Sequence, residues 1–186
     1  GYIDPTASAT IVGNELYVGR STRYLSHYNA SNITQDISHK LNFGSPIRTS
    51  PVVNDEFLYV GGGSDDMMYQ LNSSNVTQVI NSYNVGETCD TTPALSDDIL
   101  YAVCGNELVK LNATDISVLI ESATYASSST TLFKAVILAE GFVYFGNTQN
   151  DQVYQYNASN LSRNIANYSF SDKPDGGAYA NGYLYI

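Results

Sequence analysis

"TSPVVNDEFLYVGGGSDDMMYQLNSSNVTQVINSY", residues 49–83, is one full copy of a phrase that recurs along the chain. Its Tyr-centred part, "FLYVG" (57–61), returns as "ELYVG" (15–19), "ILYAV" (99–103), "FVYFG" (142–146) and "YLYI" (183–186). Tyr17, Tyr59, Tyr101, Tyr144 and Tyr185 are therefore spaced by 42, 42, 43 and 41 residues. Its Asn-rich part, "LNSSNVTQVINSY" (71–83), returns as "YNASNITQDISHK" (28–40), "LNATDISVLIESA" (111–123) and "YNASNLSRNIANY" (156–168). A near-constant period running from end to end is the signature of an array of like units.

Each period holds four strand-like runs. The first is short: "SATIV" (8–12), "TSPVV" (49–53), "TTPAL" (91–95) and "KAVIL" (134–138). The Tyr phrase is the second. The third is "RYLSHY" (23–28), "MMYQL" (67–71), "ELVKL" (107–111) and "QVYQY" (152–156), and the fourth is "ITQDI" (33–37), "VTQVI" (76–80), "ISVLI" (116–120) and "LSRNI" (161–165). β-Branched and aromatic residues dominate, several runs alternate apolar with polar, and turn-forming clusters such as "VNDE" and "LSDD" separate them. No segment keeps a helical period. Four short strands in a period of about 40–45 residues predict a propeller blade. The expected fold is thus an all-β propeller of four-stranded antiparallel blades, over approximately 5–45, 46–86, 87–130 and 131–170, with a partial blade at 171–186.

The Asn-rich phrase becomes the turn between third and fourth strands. Asn29, Asn72, Asn112 and Asn157 hold its first corner, where an Asn side chain can accept from backbone amides two residues on. Asn32, Asn75 and Asn160, with Asp115 in the third copy, follow three residues later, as residues that tolerate a left-handed backbone. Repetition follows from burial: a lone four-stranded blade cannot cover both its faces, so its neighbours must.

These phrases resemble the pyrroloquinoline-quinone-type (quinoprotein) β-propeller repeat, which reads Ser-Pro-Val-Val, Leu-Tyr-Val-Gly, Leu-Asp-Ala-x-Thr-Gly, then an apolar residue and Trp. The resemblance spans essentially the whole chain and implies the fold. It does not choose among quinone dehydrogenases, assembly scaffolds and surface proteins. The chain departs from the repeat in two places. Asn29, Asn72, Asn112 and Asn157 replace its Asp, while Ile37, Ile80, Ile120 and Ile165 stand where its Trp docks between blades, so these isoleucines are expected to fill the seams. The redox branch implies a metal-binding carboxylate set and often a vicinal disulfide. Neither pattern is found, so no cofactor and no metal are expected. Because such propellers close with more than four blades, the chain is expected to be part of a larger ring, or to be completed by strands from elsewhere.

Composition narrows the partners. A formal net charge of −10, with only 8 Lys and Arg among 186 residues, argues against a phosphate backbone and against an anionic membrane surface. No run approaches the ~18 apolar residues of a membrane-spanning helix, and no signal peptide opens the chain. Gly1 is not an initiator, so a processed form or a fragment is expected.

Candidate sites are few. Cys89 and Cys104 could close one disulfide across a hairpin turning at Ser96–Asp98, or remain buried thiols. Sequons occur at Asn29, Asn32, Asn72, Asn75, Asn112, Asn157, Asn160 and Asn167; they are either glycan acceptors on an exposed rim or turn residues whose spacing imitates a sequon. His27 and His39, the only histidines, are expected to face solvent, with no Ser–His–acid order or metal-ligand spacing beside them. "GGGSDD" (61–66) lacks the Lys and helix of a phosphate loop and reads as a hairpin turn. "SDKPDGG" (171–177) and Asp65–Asp66 match no Ca²⁺ loop, and "YASSSTT" (125–131) reads as an inter-blade connection. The 16 tyrosines are expected to pack in the core with hydroxyls at a polar edge.

The function expected from these residues is a non-catalytic extracellular or cell-surface propeller, glycosylated, serving as a binding or structural module for a protein, a glycan or further copies of itself. The contrasting readings are a quinone-dependent oxidoreductase or hydrolase at a central channel, and an envelope assembly scaffold.

Overall fold

The computed structural model describes residues 7–126, 134–174 and 176–186, with the side chains of 39–41 left aside. All the regular structure within them is β. The strands are β1 (Thr10–Val12), β2 (Glu15–Gly19), β3 (Tyr24–Asn29), β4 (Asn32–Asn42), β5 (Val52–Val53), β6 (Phe57–Gly61), β7 (Met67–Asn72), β8 (Asn75–Asn84) and β9 (Ala94–Ser96). They continue with β10 (Ile99–Cys104), β11 (Glu107–Asn112), β12 (Leu119–Thr124), β13 (Ile137–Ala139), β14 (Phe142–Asn147), β15 (Gln152–Asn157), β16 (Asn160–Ser169), β17 (Ala178–Ala180) and β18 (Tyr183–Tyr185). They form four four-stranded antiparallel sheets, each in sequence order, and one two-stranded sheet, so one sheet falls in each period of the sequence.

The sheets stack on one another, and the period-2 alternation of the Tyr phrase directs the stacking. Leu58 and Val60 of β6 face back into a core shared with the first sheet, alongside Tyr17, Leu25 and Ile47. Tyr59, between them, faces forward into a second core with Leu100, Ala102, Val109 and Leu111. In β10, Leu100 and Ala102 face back to that same core, while Tyr101 and Val103 face forward to Val143, Phe145 and Tyr154. Three apolar slabs therefore lie between four sheets, and removing either inner sheet would expose two of them.

The first strands touch one another from sheet to sheet through a run of backbone and hydroxyl contacts. Ser8 N donates to Ser50 Oγ (2.8 Å) and Ser50 N to Thr92 Oγ1 (2.9 Å). Thr92 N donates to the Lys134 carbonyl (3.0 Å), and Val136 N to that of Thr92 (2.9 Å). Pro51 and Pro93 precede β5 and β9 rather than sitting in them, as a residue without an N–H should.

Fourth strands depart from the expected runs. In the first, second and fourth sheets they extend further, to Asn42, Asn84 and Ser169. In the third sheet β12 starts only at Leu119, because residues 115–118 turn instead of pairing. The register also breaks just after each Asn-rich turn: Asn72 pairs with Asn75, but the adjacent Leu71 pairs with Val79, so Val76, Thr77 and Gln78 bulge out. Asn157 and Asn160, followed by Tyr156 and Asn164, do the same around Leu161.

Candidate functional site: the blade seams and the turn-bearing rim

The bulge decides what fills the seams. It frees Val76 and Leu161 from the strand's alternation, as the turn at 115–118 does Ile116, and each is fully buried in the core shared with the preceding sheet. The expectation for Ile37, Ile80, Ile120 and Ile165 is corrected here. Ile37, Ile120 and Ile165 are exposed and Ile80 is half-buried, because after the bulge these positions point away from the seam. Ile33 occupies the Val76 position in the first sheet and is 65% exposed.

A polar latch closes each seam beside that apolar plug. The hydroxyl of Tyr17 donates to the Ser73 carbonyl (3.0 Å), that of Tyr59 to the Ala113 carbonyl (2.6 Å), and that of Tyr101 to the Ala158 carbonyl (2.8 Å). All three acceptors follow the first Asn of the turn in the next sheet. The recurring Tyr and the recurring Asn turn are thus two halves of one contact. Burial pushes these hydroxyls above the ordinary phenol range, Tyr59 up to about 12, which keeps them protonated donors.

The third strand supplies a second polar group at the residue directly opposite each Tyr: His27, Gln70, Lys110 and Gln155. Gln70 Nε2 donates to the Ala113 carbonyl (2.9 Å), and its Oε1 accepts from Ile116 N (3.3 Å). Lys110 Nζ donates to the Ala158 carbonyl (2.9 Å) and lies 5.8 Å over the Tyr101 ring. Gln155 Nε2 donates to the hydroxyl of Tyr144 (3.1 Å), which is half-buried. Sequence reading singled out the tyrosines and His27 but not Gln70, Lys110 or Gln155, although all four partners share one position in the period.

His27 does not face solvent as expected. Its side chain is fully buried and stacks on the Tyr17 ring with centroids 4.4 Å apart. Ser38 Oγ lies 3.0 Å from Nδ1 and accepts from Val76 N (3.3 Å). Nε2 has no hydrogen-bond partner and is 3.8 Å from Glu15 Oε1. Burial holds the imidazole below its ordinary pKa, and the Glu15 carboxylate opposes that shift only in part. The side chain of His39 lies outside the described residues.

The first-corner asparagines behave as read. Oδ1 of Asn29, Asn72, Asn112 and Asn157 accepts from the backbone N of Ser31, Ser74, Thr114 and Ser159, each at 2.9 Å. The second corner is corrected: none of Asn32, Asn75, Asp115 or Asn160 is left-handed. Their Oδ1 atoms instead accept from the backbone N and the hydroxyl two residues on, at Thr34, Thr77, Ser117 and Ser162.

Cys89 and Cys104 form a disulfide with Cα atoms 4.2 Å apart, and both are fully buried. Cys104 ends β10, and Cys89 lies in the connection between the second and third sheets, where it bridges Gly63. The bond therefore pins an inter-blade connection to the strand beside it. "GGGSDD" is the hairpin between β6 and β7, and its glycines answer to packing: a Cβ on Gly61 would lie 2.4 Å from the Cys89 carbonyl, and one on Gly63, at φ +66°, 2.3 Å from that of Pro46.

Of the remaining candidates, residues 127–131 of the "YASSSTT" segment and residue 175 of "SDKPDGG" lie outside the described residues. Among the described residues, no three His, Cys, Asp or Glu side chains come together as a metal site, and no helix is long and apolar enough to cross a membrane. The recesses by the third seam, lined by Ile99, Tyr101, Lys110, Glu140, Phe142 and Ala158, are open grooves rather than an enclosed pocket.

No established family profile matches the sequence, and no curated protein does. Solved structures do. The computationally designed Ika8 protein is similar over 95% of this chain and 53% of its own, at 9% identity and TM-score 0.75. BamB from Moraxella catarrhalis is similar over 95% of this chain and 65% of its own, at 13% identity and TM-score 0.57. A chain of the mitotic checkpoint complex is similar over 91% of this chain and 54% of its own, at 11% identity and TM-score 0.74. The chain spans roughly half to two-thirds of those three chains. Identities this low bear on fold alone, and with the stacked four-stranded sheets they establish a β-propeller.

Proposed function

We propose that the chain is a non-catalytic, extracellular propeller module of the quinoprotein repeat type, glycosylated on its rim, whose outer strands bind a protein partner. The observation that carries this reading is a set of exposed apolar side chains at one position of the fourth strand: Ile37, Ile120 and Ile165, each between 41% and 48% exposed, with Ile80 half-buried at the same position of the second blade. Val118 and Leu119 widen the set at the third blade. The bulge turns these residues away from the seams, so blade packing does not account for them, and aligned apolar exposure of this kind marks a contact surface. The polar groups buried at the first three seams are meanwhile occupied in holding blades together. A buried disulfide fits an oxidising compartment. One structural neighbour is itself a chain of a multi-protein assembly, the mitotic checkpoint complex.

The test replaces Ile37, Ile120 and Ile165 together by Ser and cross-links wild type and variant to surface proteins of the native source. A defined partner joined to wild type and lost from a variant of unchanged urea midpoint supports the reading. Equal capture by both, or none by either, overturns it.

A further inference from the structure

The eight sequons fall into two kinds once the turn is seen in three dimensions. Asn29, Asn72, Asn112 and Asn157 are half-buried at the seam. Asn72, Asn112 and Asn157 directly precede Ser73, Ala113 and Ala158, whose carbonyls hold the Tyr hydroxyls, and Ser73 and Ala113 are themselves buried. Asn29 Nδ2 already donates to Gln35 Oε1 (3.3 Å). Asn167 projects from β16 and donates to Gln152 Oε1 (3.4 Å), while its sequon hydroxyl, Ser169 Oγ, takes a bond from Gln152 Nε2 (3.1 Å).

Asn32, Asn75 and Asn160 differ from the first-corner asparagines in exposure and from Asn167 in their hydrogen bonds. They are exposed. The sequon hydroxyls of Thr34, Thr77 and Ser162 donate to Oδ1 at 2.7, 2.7 and 2.6 Å, as those of Thr114 and Ser159 do at Asn112 and Asn157. Among the described residues no hydrogen bond engages Nδ2 of these three. The turn itself does not need an amide there, since Asp115 makes the same bonds to Ser117 N (3.0 Å) and Oγ (2.6 Å).

We infer that Asn32, Asn75 and Asn160 are the N-glycan acceptors and that Asn29, Asn72, Asn112, Asn157 and Asn167 stay bare. The inference rests on the glycoprotein reading above and adds the sites. In the transfer, Nδ2 attacks C1 of an oligosaccharide carried on a lipid phosphate. The C1–N bond forms, the C1–O bond to phosphate breaks, the lipid phosphate leaves, and the nitrogen gives up one proton to the transferase. The folded turn then carries the sugar outward. Two sequons three residues apart cannot both be filled without crowding, so within the pairs Asn29 and Asn32, Asn72 and Asn75, and Asn157 and Asn160 the exposed member takes the glycan.

The chain, secreted from a eukaryotic host, is treated with a peptide-N-glycosidase in heavy-oxygen water, which marks each formerly glycosylated Asn as labelled Asp. Label is expected at Asn32, Asn75 and Asn160. On a gel, Thr34→Ala, Asn75→Asp and Ser162→Ala each remove one glycan step, whereas Ser31→Ala and Ser74→Ala remove none. Asn75→Asp guards against a folding artefact, because Asp115 occupies the same turn position in the third blade. Label at any of the other five sequons overturns the site inference and leaves the glycoprotein reading standing. Secretion without label anywhere overturns both.

Discussion

The first and second seams have the same parts and different chemistry. In the second, Gln70 meets the Ala113 carbonyl and the Ile116 amide directly, donor and acceptor from one side chain. In the first, His27 reaches the Val76 amide only through Ser38, and its other nitrogen is left without a hydrogen bond near Glu15. A shared backbone frame thus accepts either a neutral amide, whose bonds do not change with pH, or an imidazole, whose bonds do. The repeat fixes where the polar partner must be, and each seam settles separately what it is.

The largest expected effect separates buried plugs from their exposed counterpart. Ile116→Ala should lower unfolding stability by about 2–5 kcal/mol, as a core truncation, while Ile33→Ala should stay within about 0.5 kcal/mol. Urea titrations of both read this directly, and equal losses would break the distinction between plug and bulge surface. Next comes the disulfide beside the second seam. Cys89→Ser with Cys104→Ser should cost about 3 kcal/mol on the chain-entropy model, in the same titration. A loss near zero would mean that the connection is held by its backbone bonds alone.

The latch hydroxyls come third. Tyr59→Phe should cost about 1 kcal/mol, because the Ala113 carbonyl keeps Gln70 as a donor. Tyr144→Phe, with no donation across a seam among the described residues, should cost less. Smallest is the pH effect at the first seam. Burial lowers the folded-state pKa of His27 below 6.5, so the unfolded chain binds the proton more readily. The stability contributed there is complete above pH 6.5 and is lost as pH falls through the folded value. Groups facing the ring are Glu15 and Tyr17 from β2, Ser38 from β4 and the Val76 amide from β8. The wild-type melting temperature should therefore drop between pH 7.5 and 5.5 by more than that of His27→Gln. Matching slopes would assign the dependence to carboxylates instead.

Much of the fold was legible because it rests on local rules. Strand periodicity, turn composition and the Tyr spacing gave four sheets in order, and the turn chemistry of Asn29, Asn72, Asn112 and Asn157 followed from side-chain reach. The Cys89–Cys104 disulfide was one of two readings open in the sequence; that it ties an inter-blade connection to β10, rather than two strands of a hairpin, was not legible. The seams were not legible, for a physical reason. The Trp position of the resembling repeat assigned the plug to Ile37, Ile80, Ile120 and Ile165, whereas the break in strand register after the turn hands it to Val76, Ile116 and Leu161. His27 looked like a surface residue since its burial comes from the neighbouring sheet, and the pairing of Gln70 or Lys110 with a Tyr in the adjacent strand depends on register. The exposed Ile row was written in the sequence as a departure from the resembling repeat, but only the bulge shows which way it points.

Every latch runs the same way, from a tyrosine to a carbonyl 56, 54 or 57 residues later. A chain emerging from the ribosome therefore completes each donor before its acceptor exists. The finished face of one blade becomes the template on which the next can settle, and the array is built for growth in the direction of translation.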